Sequence, residues 1–323
     1  ELDRLVWLDL NRTHISDIGL EHLKELTSLK TIYINDPDVT DAGLAHLSKM
    51  VHLERLGLAR TQITDTGLKH LKELTSLQEL HLSGNSQIGD AGLAELKGLS
   101  SLETLSLSDT PITDTGLVHL SKLINLERLG LARTQITDTG LKHIAGLNRL
   151  RSLTLNDTRV TDAGLQHLAG LVRLRTLWLS HTRIAGAGLG HLKTLAELRM
   201  LILDHTEVSD QALVVLSELP SLRWLDLKAA PLTDVGLRHL GKLAALDSLC
   251  LIKTRVTDAG LEHLTSLVNL KTLYLDETQI TDVGLEHLKN LKRLESLHVG
   301  FTNVTDEGVK ELQQALPKCK IEH

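Results

Sequence analysis

The chain has 323 residues, 41% of them hydrophobic, yet only six are aromatic, and nearly all of its apolar content is leucine. Its net charge of −6, from 41 acidic and 35 basic residues, argues against bulk attraction to nucleic acid or anionic lipid. No apolar run approaches the roughly 20 residues that a membrane-inserted helix needs, the composition is not that of a disordered chain, and two cysteines make no disulfide framework.

One unit repeats along the chain. An acid recurs at Asp17, Asp41, Asp65, Asp90, Asp114, Asp138 and Asp162, and again at Asp210, Asp234, Asp258, Asp282 and Asp306, with Gly186 in the vacant slot. The step is 24 residues except from Asp65 to Asp90, where one extra residue falls in the turn Gly84-Asn85-Ser86-Gln87. The pattern between acids is LxxLxLxxTxITDxGLxHLxxL. Its first half alternates with period 2, as in Leu126, Leu129 and Leu131, and predicts a short strand. Its second half places Leu141, Ile144 and Leu147 three apart and predicts about two turns of helix. The Thr-Asp pair before each helix is a start signal: its oxygens accept free N–H groups, and the acid suits the positive end of the helix dipole. Thirteen units cover residues 1–310, a closing segment fills 311–323, and the chain reads as one domain without linkers. A unit alone cannot bury its leucines; stacked units share a continuous core. Strands about 4.8 Å apart on one side and wider helices on the other force curvature, with strands on the inner face.

These repeats resemble those of leucine-rich repeat proteins over essentially the whole chain. The form with Thr and ITDxGL is similar to bacterial members and to the repeats of F-box-type substrate receptors. The ending from Glu311 to Ile321 resembles the closing segment of the bacterial group, and Leu316, Cys319 and Ile321 fit a truncated fourteenth strand. The resemblance implies an α/β solenoid: a right-handed horseshoe of 13 repeats, parallel sheet on the concave face and short helices on the convex face. It also implies a non-enzymatic module that binds a protein or peptide on the concave sheet. The chain opens within a unit and without Met, which reads as a piece of a longer protein whose targeting is not visible.

Several repeated residues invite a chemical reading and yield a structural one. The turn threonines, such as Thr61, Thr134 and Thr254, suit bonds to backbone groups the turn leaves unpaired; Pro37, Asn85 and Ala230 break the series. Ten histidines share the GLxHL slot, from His22 to His287, where helices about 8–10 Å apart keep neighbouring rings from sharing an ion. No nucleophile elbow, zinc-protease motif or phosphate loop occurs, so no catalytic residue, metal or cofactor is expected. Cys250 and Cys319 lie three strands apart, beyond the reach of a disulfide.

Function is expected where the repeats disagree. All six aromatics, Trp7, Tyr33, Trp178, Trp224, Tyr274 and Phe301, fall in slots flanking the inward strand leucines or just after them. Five adjacent strands present Trp178, Met200, Ile202, Trp224, Cys250, Ile252 and Tyr274, ringed by polar residues that include His181, Asp204, His205, Asp226 and Lys228. An apolar centre with a polar rim is the layout of a recognition surface. Carbohydrate stacking on Trp178, Trp224 and Tyr274 is the alternative, less favoured because Met200, Ile202 and Ile252 flank the rings; a scaffold or engineered array without a ligand is a third. The expected partner is a protein or peptide, with no nucleic acid and no membrane insertion, and the chain is expected to be a monomer. Arg151, Arg175, Arg199 and Arg223 form a basic ladder that Glu197, other loop carboxylates or an acidic ligand would answer. In repeat 8, Ala185-Gly186-Ala187-Gly188 replaces the Thr-Asp motif, which predicts a weak unit with fast amide exchange at 184–191, repaired by Ala185→Thr with Gly186→Asp.

Overall fold

The computed structural model describes residues 4–323. Two compact units, Glu1–Arg159 and Val160–His323, are built alike. In the first, three-residue strands β1 (Trp7–Asp9), β2 (Thr31–Tyr33), β3 (Arg55–Gly57), β4 (Glu79–His81), β5 (Thr104–Ser106), β6 (Arg128–Gly130) and β7 (Ser152–Thr154) pair in parallel and in sequence order. The second repeats the arrangement with β8 (Thr176–Trp178), β9 (Met200–Ile202), β10 (Trp224–Asp226), β11 (Ser248–Cys250), β12 (Thr272–Tyr274), β13 (Ser296–His298) and β14 (Lys320–Glu322). The expected closing strand is therefore present as β14. Each unit is the parallel-sheet, short-helix α/β solenoid that the repeat pattern implied.

Register explains the division of labour between the two sheet faces. Residues one repeat apart are direct partners, so each strand's middle residue lies in one column: Leu177, Leu201, Leu225, Leu249, Leu273 and Leu297 stack beneath the sheet and are fully buried. Burying each leucine contributes roughly 1.5–3 kcal/mol, and the helical leucines cover the same core from the other side. The residues on either side of the middle position stand on the opposite, open face. Helices follow the strands, but several are shorter than two α-turns. Asp138–Ile144, Asp234–Leu240 and Asp282–Leu288 reach seven residues, whereas Asp65–Leu68 and Asp258–Leu261 continue in the tighter 3-10 form and Asp162–Leu168 is 3-10 throughout. Segments this short gain little from helix propagation and take their geometry from packing. Among the described residues no helix is long and apolar enough to cross a membrane.

The Thr-Asp motif does more than start a helix. Thr281 caps its own helix by accepting the Val283 N–H at 3.2 Å. The acid works across coils: Asp258 accepts the Thr281 N–H on Oδ1 and the Thr281 hydroxyl on Oδ2, each at 2.7 Å. The same two-pronged clasp joins Asp114 to Thr137 and Asp234 to Thr257. The motif's glycine follows from it. A Cβ at Gly260 would collide with Asp234 Oδ1, and one at Gly284 with Asp258 Oδ1. Turn threonines close each coil internally, as where Thr254 Oγ1 donates to the Leu251 carbonyl at 2.7 Å. At the insertion, buried Asn85 replaces this threonine and satisfies Thr61 and the carbonyls of Leu58 and Leu82.

Repeat 8 lacks the side-chain cap, as its sequence predicts, yet keeps its bonds to the preceding coil. Asp162 retains three acceptor bonds, from the N–H groups of Ala185 at 2.9 Å, Gly186 at 3.0 Å and Gly188 at 2.9 Å. Gly186 has φ +118°, a conformation L side chains rarely adopt, and a Cβ there would overlap the Ala212 Cβ. Elsewhere an acid in one coil faces a glycine in the next; here glycine faces alanine, the two sizes exchanged. Inserting the missing acid alone therefore strains the coil instead of repairing it. Gly186→Asp is expected to lower stability by about 1 kcal/mol or more, with Ala185→Thr failing to compensate and Ala212→Gly recovering part of the loss in denaturant titration. In an ordinary coil, Asp258→Ala should cost about 2–3 kcal/mol, because it orphans an N–H and a hydroxyl together; Thr281→Val should cost about 1 kcal/mol.

Candidate functional site

The open face of β8 to β12 carries the residues singled out from the sequence, in two columns. One runs Thr176, Met200, Trp224, Ser248, Thr272; the other runs Trp178, Ile202, Asp226, Cys250, Tyr274. Met200, Trp178, Ile252 and Tyr274 are partly exposed and Trp224 is 38% exposed. Ile202 and Cys250 depart from the expectation of an exposed patch: each retains 5% of its surface. Both stand on the open face, but Ile202 sits between Trp178 and Asp226, and Cys250 between Asp226 and Tyr274, one strand spacing from each. Their neighbours, above all Trp178 and Tyr274, cover them, so they form the floor of the patch. The accessible apolar surface is carried by Trp178, Met200, Trp224, Ile252 and Tyr274.

A carboxylate and a thiol share this floor. Asp226 Oδ1 accepts the Lys228 N–H at 2.9 Å. Burial pushes the Asp226 carboxyl above its ordinary value, against the opposing pull of the Lys228 N–H and the Cys250 thiol. Burial first, and then the negative charge of Asp226, push the Cys250 thiol up to about 12. Cys250 and Cys319 are both free and buried.

Aromatic contacts extend the patch beyond the strands where the sequence reading ended it. Tyr274 stacks on His298 of β13, ring centres 4.5 Å apart and planes 22° from parallel. His298 in turn meets Ser296 and Glu322 at 3.0 Å. Its signal was positional: it occupies the same strand slot as Tyr274 in the next repeat.

The rim histidines are paired by the same register. The rings of His181 and His205 stack with centres 4.4 Å apart and planes 9° from parallel, and Asp204 accepts the hydroxyl of Ser180. His181, Asp204 and His205 each bring a ligand atom within 4.8 Å of the others, as do His14, Asp36 and Asp38. Neither set uses the helix histidines. Most of those are half-buried in the seams between coils, and the burial of His70 lowers its pKa.

The basic ladder is largely answered within the protein. Arg151 lies 3.4 Å from Glu127, Arg175 binds Glu197 at 2.8 Å and Arg223 is 3.9 Å from Asp247. These pairs are solvent-accessible and each is worth little.

Comparison with known proteins follows the architecture. Two sequence models of leucine rich repeats match the chain, one over residues 51–112, the other over 122–145, 266–289 and 292–312. No curated protein matches it in sequence. Among solved structures, an internalin of Listeria monocytogenes, inlF, is 24% identical with a TM-score of 0.68, and the alignment covers 88% of each chain. A second Listeria monocytogenes internalin, inlC2, is 31% identical with a TM-score of 0.50, covering 65% of this chain and 84% of its own. The plant peptide hormone receptor RGFR1, solved in complex with RGF2, is 12% identical with a TM-score of 0.55, covering 98% of this chain and 57% of the receptor.

The floor of the patch is open to a chemical check. A thiol with a pKa of about 12 is ionised in only about one molecule in ten thousand at pH 8, so Cys250 should resist iodoacetamide in the native protein and react on unfolding. Asp226→Asn keeps an oxygen for the Lys228 N–H and removes a buried charge. Because the folded carboxyl holds its proton more tightly than the unfolded one, the wild type gains stability as pH falls through its raised folded value. The asparagine variant should therefore melt higher at pH 7, by an increment that shrinks towards the ordinary carboxylate range.

Proposed function

The chain belongs to the leucine-rich repeat proteins, and we propose that it is a non-enzymatic recognition module holding a protein or peptide on the open face of β8 to β12. One observation carries the reading. The core is built almost wholly from aliphatic side chains beneath the sheet, and none of the six aromatic residues joins it: all remain partly or fully exposed, up to 92% for Phe301. Rings that contribute nothing to folding and stand on a regular surface are suited to anchoring a partner. Around Trp178, Trp224 and Tyr274, the polar groups of His181, Asp204, His205, Lys228 and Asp276 form the rim. Members of this family are generally binding scaffolds, and the RGFR1 complex shows a receptor of this fold with its peptide hormone. A glycan reading of the same rings is less favoured, because Met200 and Ile252 share their surface where amides and hydroxyls would be needed.

The test is selection from a displayed random-peptide library. Peptides enriched on the wild-type chain should lose at least about tenfold in affinity on Trp224→Ala with Tyr274→Ala. The thermal transition of that double variant should stay close to the parent's, since neither ring supports the core. Undiminished binding by the variant would remove the assignment of this face; failure to enrich any peptide would favour a scaffold.

A further inference from the structure

We propose that a polar hollow on the open face of the amino-terminal unit, formed by Asn11, Asn35, Ser83, Arg12, Arg60 and Tyr33, binds the carboxylate and hydroxyl groups of an acidic sugar. This site lies outside the patch on β8 to β12 and does not rest on the peptide reading. Two hollows of about 370 and 440 Å³ share Asn11, Asn35, Ala59 and Ser83, and both volumes fall in the range of ligand clefts.

The first argument concerns the asparagines. They fill the slot just after the third leucine, where a side chain in one coil accepts the backbone N–H of the next. Asn11 Oδ1 accepts the Asn35 N–H at 3.0 Å, and Asn35 Oδ1 accepts the Ala59 N–H at 2.6 Å. Serine or aspartate serves equally well: Ser108 accepts the Ala132 N–H, and Asp276 the Gly300 N–H. Aspartate adds no donor and serine a single rotatable O–H, whereas asparagine adds an NH₂ with two donors. With each oxygen held by the backbone, each NH₂ is turned the other way and meets no acceptor among the described residues. The result is two fixed donors one strand apart, about 4.8 Å. Their ordering is complete before a ligand arrives.

The second argument is charge. Arg12 and Arg60 flank the hollow with the same backbone conformation, φ 57° in each, and neither makes an ion pair among the described residues. Two acids line the hollows, Asp109 the first and Asp9 the second, where Asp9 accepts the Asn11 N–H at 2.8 Å; each neighbouring acid already has a partner. Asp36 is turned under the surface, 1% exposed, where it accepts the N–H groups of His14 and Asp38. Asp109, whose carboxyl is held below the usual range by Arg133 first and by Arg60 more weakly, is gripped by both Nε and Nη2 of Arg133. Two guanidinium groups beside fixed amide donors match a carboxylate.

The third argument distinguishes a sugar from a bare anion. Gly57 leaves a gap that Tyr33 fills, since a Cβ there would lie 2.5 Å from Tyr33 Cδ1. The Tyr33 ring reaches towards His81, centres 6.5 Å apart, and lines the second hollow with Asp9, Ser83 and Ser106. An aromatic surface beside several hydroxyl and amide groups suits a ring with an apolar face and a hydroxylated edge.

Calorimetry with trigalacturonate, a glucuronate-containing tetrasaccharide and sialyllactose tests the assignment, with the methyl ester of each and inorganic phosphate as comparators. At least one acidic sugar should bind saturably. Its esterified counterpart, the Arg12→Gln/Arg60→Gln variant and Asn35→Asp should each weaken binding by about tenfold or more. Asn35→Asp retains the acceptor for Ala59 and puts a charged acceptor where the outward donor was, so its melting temperature should stay near the parent's while it repels the acid. Absence of binding by all three sugars, equal affinity for the ester, phosphate binding as tightly as the sugar, or full affinity in folded variants would overturn the proposal.

Discussion

The interaction on which the structure depends is the clasp between an aspartate in one coil and the threonine of the next. A carboxylate offers two oxygens in one plane, and each clasp uses both, one for a backbone N–H and one for a hydroxyl, as Asp258 does with Thr281. A charged acceptor strengthens both bonds, and their combined geometry fixes the spacing and phase of adjacent coils. From that follow the close passage that admits only glycine where a coil faces the acid of the one before, the alignment of the helix starts and the strict strand register. The leucine core supplies most of the stabilisation, but leucines alone would tolerate sliding between coils. The clasp does not.

The exchange at Gly186 and Ala212 shows what the clasp constrains. When the acid is absent, its position and its partner change together, because what must be conserved is the volume shared between coils. Asp162, one coil earlier, keeps its acceptor role by taking three backbone N–H groups after its threonine partner is replaced by Ala185. The repeat tolerates loss of the side-chain donor when the backbone can turn to replace it, and Gly186 permits that turn. A deviation that reads as damage in one dimension is complementary in three.

This marks where the sequence was legible and where it was not. The period of 24 and the switch from alternation to helical spacing located the strands, the open face and the closing strand at Lys320–Glu322, because those features are carried by residues within one unit. What was missed lies between units. The acid was read as a helix-start signal within its own coil, whereas its principal partner is 23 residues onward. Ile202 and Cys250 were read as exposed because they stand on the open face; their burial is set by the size of side chains on neighbouring strands. His298 and the stacked pair His181 and His205 likewise acquire meaning only through register. A repeat makes such relations recoverable in principle, since strand neighbours are one period apart, but only when columns are read across repeats as closely as rows are read along them.

Reading columns also separates the two units chemically. Below the sheet they are nearly interchangeable, with leucine in every middle position except Ile32 of β2 and Ile321 of β14. Above it, the amino-terminal unit places glycine at Gly57 and Gly130 and small residues at Ala59, Ser83 and Ala132, while the carboxy-terminal unit places Tyr274 and Ile252 in those slots, and Met200 and Trp224 where the first unit has Arg55 and Arg128. Small residues on a parallel sheet leave hollows whose walls are the longer side chains on either side; large ones fill the surface and make it flat and apolar. The same backbone thus offers a polar hollow in one unit and an aromatic platform in the other. Neither arrangement contributes materially to the core. Substitutions on this face are therefore free of the packing constraints that hold the leucines, which is the physical reason that specificity can reside there without disturbing the fold.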